Sequence, residues 1–548
     1  MKLTLLTLTL CILAVLLAAQ STPEWVWALQ AGGTGYELGQ DICRDAEGNL
    51  YVIGSFTDTA NFGPDILTSQ GGYDVFISKL DPEGNWLWTI RAGGSDQDHG
   101  NGIIADPAGN VLVIGSFRAT AVFGSTTLVS QGQEDIFVAK LDAGGNWLWA
   151  KRAGSADFEF AESIAADANG NCYISGAFSS GADFGGTVLD SAGGRDIFVA
   201  KLDAGGNWLW ARRAGGSGGD NAQAVTVDPD GNALITGSFR TNADFGSTTL
   251  ICIGFTDIFV AKLDLAGNWL WVVQAGGTHY DEGWDLVTDS AGNVYFTGYY
   301  AADAVFGPYN LPCEGISDSF VARLDADGNW LGVERISGSG DVYTYGIFRD
   351  SGGAIYLTGE FALTAVFGPH TLESMGSSDV FAAKLSADGN WLWAIPASCP
   401  NWATGWHITA DDSGNAYLTG YFNNTISFGS HVLTALGNSD AFIAKVSSGD
   451  VWTWEETLPS PAGTSFLHNA WPNPFSGSQV ALVKASVAEG ESGTLSVHNL
   501  RGQLISSWKI GPGTHQFSLD GSKLPAGVYF YRLRTQNTDS AKKLVLLK

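Results

Sequence analysis

The chain has 548 residues, of which 72 are Gly, and its 56 Asp and Glu against 28 Lys and Arg give a formal net charge of −28 at pH 7. This acidity argues against a nucleic-acid-binding protein, because contacts to phosphate need Lys and Arg. It is typical of a solvated exterior protein, and the length allows one large repeat array with an additional module.

Residues 1–20 read MKLTLLTLTLCILAVLLAAQ, with one Lys, an apolar run and the small residues Ala18 and Ala19 near the end. This pattern predicts a secretory signal peptide. The apolar run is short for a membrane-spanning helix, which needs about 20 apolar residues. No other segment has that character, so we expect a secreted or cell-surface protein with no membrane span in its mature form.

A repeat of 61 residues occupies most of the chain. It is marked by tryptophans that bound seven repeats without insertion or deletion: Trp25, Trp86, Trp147, Trp208, Trp269, Trp330, Trp391 and Trp452. A second Trp follows two residues after most of them, and a Phe-Gly pair, an Asp-x-Phe triplet and a basic residue recur at fixed positions. Because residues i and i+2 of a strand share a face, each tryptophan pair is predicted to form one apolar plate.

Each repeat contains four short runs of β-branched and aromatic residues bounded by Gly, Asn and Asp, which predict strands. Asp-x-x-Gly-Asn turns join two pairs of these strands, and surplus residues lie between the second and third strands. Four strands per repeat are typical of a propeller blade. We therefore predict an all-β chain with a seven-bladed β-propeller over residues 21–457. The repeats resemble the SBBP family of β-propeller repeats from residue 25 to about residue 454, which implies an architecture and no particular activity.

Two strands compete to close the predicted ring, because both Trp25 and Trp452 carry the tryptophan pair. One of them completes a blade and the other is redundant. The repeat pattern does not choose between them.

Residues 458–467 are rich in Pro and Ser and are predicted to be a linker. Residues 468–548 contain alternating strands, which predict a small immunoglobulin-like β-sandwich. This segment carries Pro-Asn-Pro-Phe at 472–475, Arg-Gly-Gln at 501–503, Gly-Val-Tyr-Phe-Tyr-Arg-Leu at 527–533 and Lys-Lys-Leu at 542–544. In these motifs it resembles the type A C-terminal sorting domain of the type IX secretion system. The resemblance implies a bacterium of the Bacteroidota or a related lineage, the secretion machinery as a partner of residues 468–548, and removal of this domain at the cell surface.

The long loops of all blades are expected on one face of the propeller, opposite the tight turns, and this is the candidate functional face. Five acidic side chains recur there, twelve residues after a repeat tryptophan: Glu37, Asp98, Glu159, Asp220 and Asp281. Three positions further on stand Gln40, Asn101, Glu162, Gln223, Trp284, Tyr345 and Trp406, which we expect to precede the first strand of each blade and to rim the central channel. Aromatic residues that break the repeat, namely Trp284, Tyr343, Tyr345, Trp402 and Trp406, are predicted to cluster over the last three repeats.

Three functions are open for this face. Aromatic plates beside polar side chains suit a binding or adhesion module for a polysaccharide or a protein ligand, with the five acidic and five aromatic residues as candidate ligand contacts. The first alternative is a structural surface scaffold or protein–protein interaction propeller, in which the carboxylates bond backbone amides and the aromatics fill the rim. The second is a carbohydrate-active enzyme that uses paired carboxylates for acid–base chemistry.

No nucleophile elbow, phosphate loop or zinc-protease motif occurs, so we predict no enzymatic activity and no cofactor. Two Asp-x-Asp-Gly-Asn segments, at 228–232 and 325–329, look like the start of a calcium loop. The Glu that such a loop requires at its twelfth position would fall at Phe239 and Ile336. We therefore read them as turns and predict no metal site.

Overall fold

The computed structural model describes residues 22–447 and, in the C-terminal part, residues 465–467, 475–476, 480–488, 490–501 and 503–547. The predicted signal peptide, and the predicted linker up to residue 464, lie outside the described residues. The chain divides into two compact units, Met1–Val451 and Trp452–Lys548, and each is described by itself. The described residues contain strands and no α-helix, so the predicted all-β fold is confirmed.

Residues 22–447 contain seven antiparallel units of four strands, which we number blade 1 to blade 7 in the order of their first strands. In four of the sheets a two-stranded hairpin extends the unit to six strands. The first strands are Glu37–Arg44, Asp98–Ala105, Glu159–Ala166, Asn221–Val227, Asp281–Thr288, Val342–Arg349 and Ala403–Ala410. The second strands are Leu50–Phe56, Val111–Phe117, Cys172–Phe178, Ala233–Phe239, Val294–Tyr300, Ile355–Phe361 and Ala416–Phe422. The third strands are Asp74–Leu80, Asp135–Leu141, Asp196–Leu202, Asp257–Leu263, Asp318–Leu324, Asp379–Leu385 and Asp440–Ser447. The outermost strands are Trp86–Gly94, Trp147–Ala153, Trp208–Ala214, Trp269–Gly277, Trp330–Gly338, Trp391–Ala397 and Glu24–Gly33.

The seven blades follow one another around a closed cycle. The first strand of each blade packs against the first strand of the next, and that of blade 7 packs against that of blade 1. Glu24–Gly33 pairs antiparallel with Asp440–Ser447, so the strand that carries Trp25 completes blade 7. Trp452 lies outside the described residues. The β-propeller architecture predicted from the repeat is confirmed.

The surplus residues of each repeat form a two-stranded hairpin between the second and third strands. These hairpins are Thr59–Phe62 with Asp65–Thr68, Thr120–Phe123 with Thr126–Val129, Ala182–Phe184 with Thr187–Leu189, Asn242–Phe245 with Thr248–Ile251, Ala304–Phe306 with Tyr309–Leu311, Thr364–Phe367 with His370–Glu373, and Thr425–Phe428 with His431–Thr434. Each hairpin pairs with the outermost strand of the preceding blade, as Phe62 of blade 1 does with Ala31 of blade 7. The insertion therefore joins neighbouring blades by backbone hydrogen bonds.

The recurring Phe-Gly pair lies at the tip of this hairpin. Phe62 is fully buried, and its ring meets the ring of Trp86 edge-on with centroids 6.3 Å apart. Gly63 has a φ of 60°, and a Cβ at this position would lie 2.3 Å from the Trp86 ring. Glycine is therefore required for both its backbone conformation and its small size.

The two tryptophans of each pair lie on opposite faces of the blade, so the prediction of one apolar plate is wrong. Trp86 packs in the cluster between blades 7 and 1, whereas Trp88 packs in the cluster between blades 1 and 2. The reason is a β-bulge, because the pairing shifts register where Trp86 and Trp88 oppose Leu80 and Lys79. An extra residue in a strand reverses the alternation of side chains beyond it. Each blade thereby supplies one indole ring to each of its two interfaces.

The recurring basic residue ties the inner turn of a blade to its third strand. In blade 2, Lys140 Nζ lies 2.7 Å from the carboxylate of Asp106, the first residue of an Asp-x-x-Gly-Asn turn. The same carboxylate accepts the backbone N–H of Asn110 at 2.9 Å, which holds the turn closed. Lys140 is buried, so this pair is shielded from solvent and fixes the tight-turn end of the blade.

The C-terminal unit contains two sheets around one hydrophobic cluster. One sheet has the order Phe466–Leu467, Val480–Val487 and Gly513–Asp520. The other has the order Phe475–Ser476, Asp539–Leu547, Gly527–Arg534, Gly493–Asn499 and Leu504–Ile510, and a 3₁₀ turn spans Gly521–Lys523. Val483, Leu495, Tyr531 and Leu544 are buried in the cluster that both sheets share. Two sheets with a common core are what the alternating pattern predicts for this segment.

Candidate binding site

The first strand of every blade contains a β-bulge at the same position. The bulged residues are Gln40, Asn101, Glu162, Gln223, Trp284, Tyr345 and Trp406. We expected these residues to precede the first strands, but they lie within them, because each strand already begins near the recurring acidic position. A bulge bends the strand locally and redirects one side chain. The seven redirected side chains all face the axis of the ring.

These seven side chains line a single cavity of about 240 Å³ on the propeller axis. Asp41, Ser163, Ala224, Asp285 and His407 complete its wall. The seven bulged residues are divided by sector, because those of blades 1 to 4 are amides and a carboxyl group and those of blades 5 to 7 are aromatic. We call this cavity the axial pocket.

The aromatic half of the axial pocket is one cluster of three rings. Trp284 meets Tyr345 edge-on with centroids 4.8 Å apart, and Tyr345 lies 4.7 Å from Trp406 at an interplanar angle of 35°. Trp284 and Trp406 are 5.7 Å apart. All three are half-buried, so the cluster is a packed wall that exposes part of each ring to the pocket.

Tyr345 is fixed in this wall by a hydrogen bond at its far end. Its hydroxyl donates to Glu360 Oε1 at 3.2 Å, and Glu360 Oε2 accepts the hydroxyl of Thr404 at 2.7 Å. Burial raises the pKa of Glu360, and the hydrogen bonds from Thr404 and Tyr345 lower it in part. The ring of Tyr345 is therefore held from both its face and its hydroxyl.

Tyr343 and Trp402 do not line the axial pocket. Tyr343 packs on Tyr299, with centroids 4.7 Å apart, and stacks on Tyr345 at 6.1 Å. Trp402 packs edge-on against Tyr421 at 5.5 Å. The predicted aromatic cluster thus has two layers, of which only the inner one borders the pocket.

An ion-pair network of three residues lies in the pocket wall. His407 Nδ1 lies 2.8 Å from Asp41 Oδ1, and His407 Nε2 lies 3.2 Å from Asp285 Oδ2. Burial alone would lower the pKa of His407, but the two carboxylates raise it well above its usual value. The same carboxylates accept backbone N–H groups of the next blade, from Ile103 and Ile347, each at 2.8 Å. This network, which we call the histidine bridge, connects blades 1, 5 and 7.

Hydrogen bonds also position the polar half of the pocket. Asn101 donates to the carbonyl of Ala161 at 2.8 Å. Asn221, in the first strand of blade 4, donates to Gln223 Oε1 at 2.7 Å and to Glu162 Oε1 at 3.4 Å. Burial raises the pKa of Glu162, and the hydrogen bond from Asn221 lowers it only in part.

The five recurring carboxylates lie in the blade junctions, away from the axial pocket. Glu37, Asp98, Glu159, Asp220 and Asp281 are at most 1% exposed. Each accepts the backbone N–H of the residue four positions earlier, at 2.6 to 2.8 Å. Burial raises the pKa of all five, to about 8 for Glu37, about 7 for Asp98, Glu159 and Asp281, and about 6 for Asp220. This geometry favours a role in joining blades.

The Asp of the Asp-x-Phe triplet adds a second buried carboxylate to each of these junctions. Asp74 lies beside Asp98 and raises its pKa further, and Arg91 pairs with Asp74. In the sixth and seventh repeats Val342 and Ala403 replace the recurring carboxylate. There the Asp of the Asp-x-Phe triplet accepts the corresponding backbone hydrogen bond instead. Gly338 N–H donates to Asp318 at 3.1 Å and Cys399 N–H donates to Asp379 at 2.9 Å. The backbone N–H four positions before the missing carboxylate therefore still donates to an Asp side chain in these two repeats.

A second cavity, of about 310 Å³, lies at the outer edge of blade 4. Phe245, Gly246 and Trp269 are among its lining residues, and all three recur at the same positions in every repeat. We assign it to the scaffold for that reason. Among the described residues, no group of three or more His, Cys, Asp or Glu is arranged to hold a metal ion.

Sequence reasoning missed the histidine bridge. Asp41, Asp285 and His407 occupy one repeat position, at which the other blades have Gly102, Ser163, Ala224 and Gly346. The available signal was that this repeat position is charged in three blades and very small in the other four. Their mutual contact depends on the width of the channel, which the repeat length does not give.

Two family models match the chain. Residues 469–547 match the model described as a secretion system C-terminal sorting domain, and residues 209–246 match the model described as a β-propeller repeat, SBBP. The chain thus carries a β-propeller repeat and a type IX C-terminal sorting domain. Both resemblances found in the sequence are thereby confirmed, and the sorting domain indicates export to the cell surface or the extracellular space. In the part of the chain that the structure describes, no helix has the length and apolar character needed to cross a membrane.

Curated relatives share a minority of their length with this propeller protein. An uncharacterized WD repeat-containing protein of Acanthamoeba polyphaga mimivirus is 23% identical over 499 residues, which covers 73% of this chain and 36% of the relative. The regulatory protein FlaEY of Caulobacter vibrioides is 25% identical over 371 residues, covering 62% of this chain and 38% of the relative. The chain thus spans little more than a third of either relative.

The solved structures that resemble this chain are distant from it in sequence. A fungal alcohol oxidase of the AA5 family in complex with copper is 12% identical, with a TM-score of 0.38, and covers 96% of this chain and 100% of its own. YCF48 bound to D1 peptide is 11% identical, with a TM-score of 0.36, and covers 78% of this chain and 98% of its own.

Proposed function

We propose that this exported propeller is a carbohydrate-binding module and that the axial pocket is its binding site. The observation that carries the proposal is the division of one pocket into an aromatic wall of Trp284, Tyr345 and Trp406 and a polar wall of Gln40, Asn101, Glu162 and Gln223. A sugar ring has an apolar C–H face and a rim of hydroxyls, so it needs both kinds of wall at once.

The chemistry of each wall suits this ligand. Aromatic rings present apolar area with little rotational freedom. The amides of Gln40, Asn101 and Gln223 offer both donors and acceptors, which a hydroxyl can pair with in either direction. At about 240 Å³ the pocket is smaller than a typical site for a drug-sized ligand, which is 300 to 1,000 Å³. We therefore expect it to hold one sugar unit at a chain end rather than a long stretch of polymer.

The alternatives are less well supported by the geometry. An enzyme that uses the recurring carboxylates would need them in contact with substrate, whereas Asp98 and its four equivalents are at most 1% exposed. The bulge position is polar in blades 1 to 4 and aromatic in blades 5 to 7. A structural scaffold does not require this difference between blades. Adhesion of the propeller to a surface polysaccharide is the role that uses both walls.

The proposal is tested by measuring retention of the full chain on a panel of soluble and insoluble polysaccharides, beside the variants Trp284→Ala and Trp406→Ala. We expect a retained glycan to lose about tenfold or more in affinity in each variant, because the loss of an aromatic contact costs on the order of 1.5 kcal/mol. Trp402→Ala is the matched control, since Trp402 is an aromatic residue of the same repeat outside the pocket. It should leave affinity unchanged.

Two further measurements make the result decisive. Gln40→Ala tests the polar wall and leaves the aromatic packing intact, and a thermal melt of each variant confirms that the ring is folded. Retention that is equal in all four variants, or no retention of any glycan by the unaltered chain, would overturn the proposal and favour a scaffold or protein-binding propeller.

A further inference from the structure

The charges around the axial pocket define which sugars it accepts, if the proposed function is correct. We infer that the pocket selects sugars that carry a protonated amine, as free amino sugars do, over neutral and acidic sugars. This inference rests on the proposed function and adds the class of ligand to it.

Apart from the phenol of Tyr345, the acidic and basic side chains that line the pocket are three carboxyl groups and one imidazole. They belong to Asp41, Glu162, Asp285 and His407, and neither Lys nor Arg is among the lining residues. The histidine bridge sets one imidazolium charge against two carboxylate charges, so that network alone is negative by one unit when all three groups are ionised. The pocket therefore attracts cations and repels anions.

Glu162 is the carboxyl group in this wall that has no ion pair among the described residues. Its Oε1 receives one long hydrogen bond, 3.4 Å from Asn221, and the same amide is 2.7 Å from Gln223 Oε1. Burial raises the pKa of Glu162, and the hydrogen bond from Asn221 and the charge of Arg195, which is not among the lining residues, lower it only in part. A ligand ammonium in the pocket would form a charge-assisted hydrogen bond with this carboxyl group.

The opposite wall also favours a cationic ligand. Trp284 and Trp406 border the same cavity, and a cation held near an aromatic face is stabilised by the ring quadrupole. A sugar carboxylate or sulfate would instead lie beside Asp41 and Asp285, whose imidazolium partner is already engaged on both nitrogens. Burying such an unpaired anion is unfavourable.

The experiment is isothermal calorimetry on the full chain with four trisaccharides of equal linkage, built from glucosamine, N-acetylglucosamine, glucose and galacturonic acid. Short ligands and a salt concentration above 0.15 M, where the Debye length is under about 8 Å, suppress non-specific attraction to a chain of net charge −28. We expect the glucosamine trisaccharide to bind about tenfold or more tightly than the neutral two, because a charge-assisted hydrogen bond contributes on the order of 1.5 to 3 kcal/mol. The acidic trisaccharide should not bind.

Glu162→Gln is the diagnostic variant, since it keeps the shape and removes the charge. It should bring the glucosamine trisaccharide to within about threefold of the neutral ligands, the loss expected when the charged hydrogen bond becomes a neutral one. Glu282→Gln is the control, because Glu282 also lies in a first strand but is absent from the pocket lining. That variant should keep the preference.

Each outcome separates the inference from the proposed function. Equal binding of amino and neutral sugars, or a preference that survives Glu162→Gln, overturns the inference and leaves carbohydrate binding in place. Failure of all four ligands and of the polysaccharide panel overturns the proposed function itself.

Discussion

Trp25 lies opposite Val446, so residues from the two ends of the repeat array belong to one sheet. Trp25 is 6% exposed, and its indole N–H donates to the carbonyl of Pro396 in blade 6 at 3.0 Å. Its ring meets Phe428 edge-on at 4.9 Å. The first described strand is therefore anchored to both blade 7 and blade 6, and the closed ring depends on it.

We expect Trp25→Ala to lower the free energy of unfolding of the propeller by about 3 to 5 kcal/mol, because it removes a large buried side chain and the contacts that close the ring. Urea denaturation followed by tryptophan fluorescence measures the change. Val26→Ala, at a neighbouring side chain that is 41% exposed, is the control and should change stability by less than about 0.5 kcal/mol. Equal effects of the two substitutions would contradict the role of Trp25 in closure.

Much of this fold follows from the sequence because the repeat contains its own local signals. Turn residues such as Asp106 and Asn110 and the β-branched runs between them predict the strands and their order. Side-chain direction could not be predicted in the same way, because the bulge beside Trp86 and Trp88 depends on pairing with the third strand. The docking of each hairpin on the preceding blade is likewise a contact between repeats, and a periodic sequence does not distinguish contacts within a repeat from contacts between repeats.

The glycine of the Phe-Gly pair allows the steric cost of a Gly→Ala substitution to be separated from its conformational cost. Gly63 and Gly109 both have positive φ, at 60° and 79°, but a Cβ at Gly109 would have no atom within 4 Å. Gly109→Ala should cost about 1 to 2 kcal/mol, the strain of an alanine in this conformation. Gly63→Ala should cost more, by about 1 to 3 kcal/mol, because Trp86 must move to admit the methyl group. Equal losses of stability in chemical denaturation would mean that the hairpin tip is not packed as described.

The buried carboxyls of the blade junctions make the propeller less stable as pH rises. Burial raises the pKa of Asp98 to about 7 in the folded chain, above the value of about 4 expected when the chain is unfolded. Between these values the folded state binds more protons than the unfolded state, so stability falls as pH rises from about 4 through 7. The melting temperature of the full chain should therefore be higher at pH 5 than at pH 8.

Asp98→Asn isolates this effect at one junction. The amide keeps an acceptor for Gly94 N–H and cannot ionise, so the variant should match the unaltered chain at pH 5 and exceed its stability by about 1 to 3 kcal/mol at pH 8. Asp96→Asn, at an exposed residue of the same loop whose charge makes only a small addition to the raised pKa of Asp98, should change the pH dependence far less. A stability gap for Asp98→Asn that does not grow with pH would show that the carboxyl is ionised without cost.

The candidate site could be predicted in part, and the difference between its two walls explains why. Trp284, Tyr345 and Trp406 were found because they break a repeat whose other members at that position are polar. The polar residues, such as Gln40, were recognised as a series but not as a binding surface, since an amide at a recurring position is equally typical of a solvated rim. The bulges bring both sets to the axis, and their geometry is set by the closed ring.

The histidine bridge predicts a second pH-dependent contribution of the same sign, which is lost at a higher pH than that of the junction carboxyls. Asp41 and Asp285 raise the pKa of His407 above its usual value, so its stabilisation is complete below about pH 6.5, the unfolded value, and is lost as pH rises through the folded value. His407→Gln should lower the free energy of unfolding by about 2 kcal/mol at pH 6, because it leaves two carboxylates without their cation. The gap to the unaltered chain should shrink at alkaline pH. The double variant Asp41→Asn with His407→Gln removes one of those charges and should recover part of the loss. A gap that is constant with pH, or a double variant no more stable than His407→Gln alone, would show that His407 acts by packing and not by its charge.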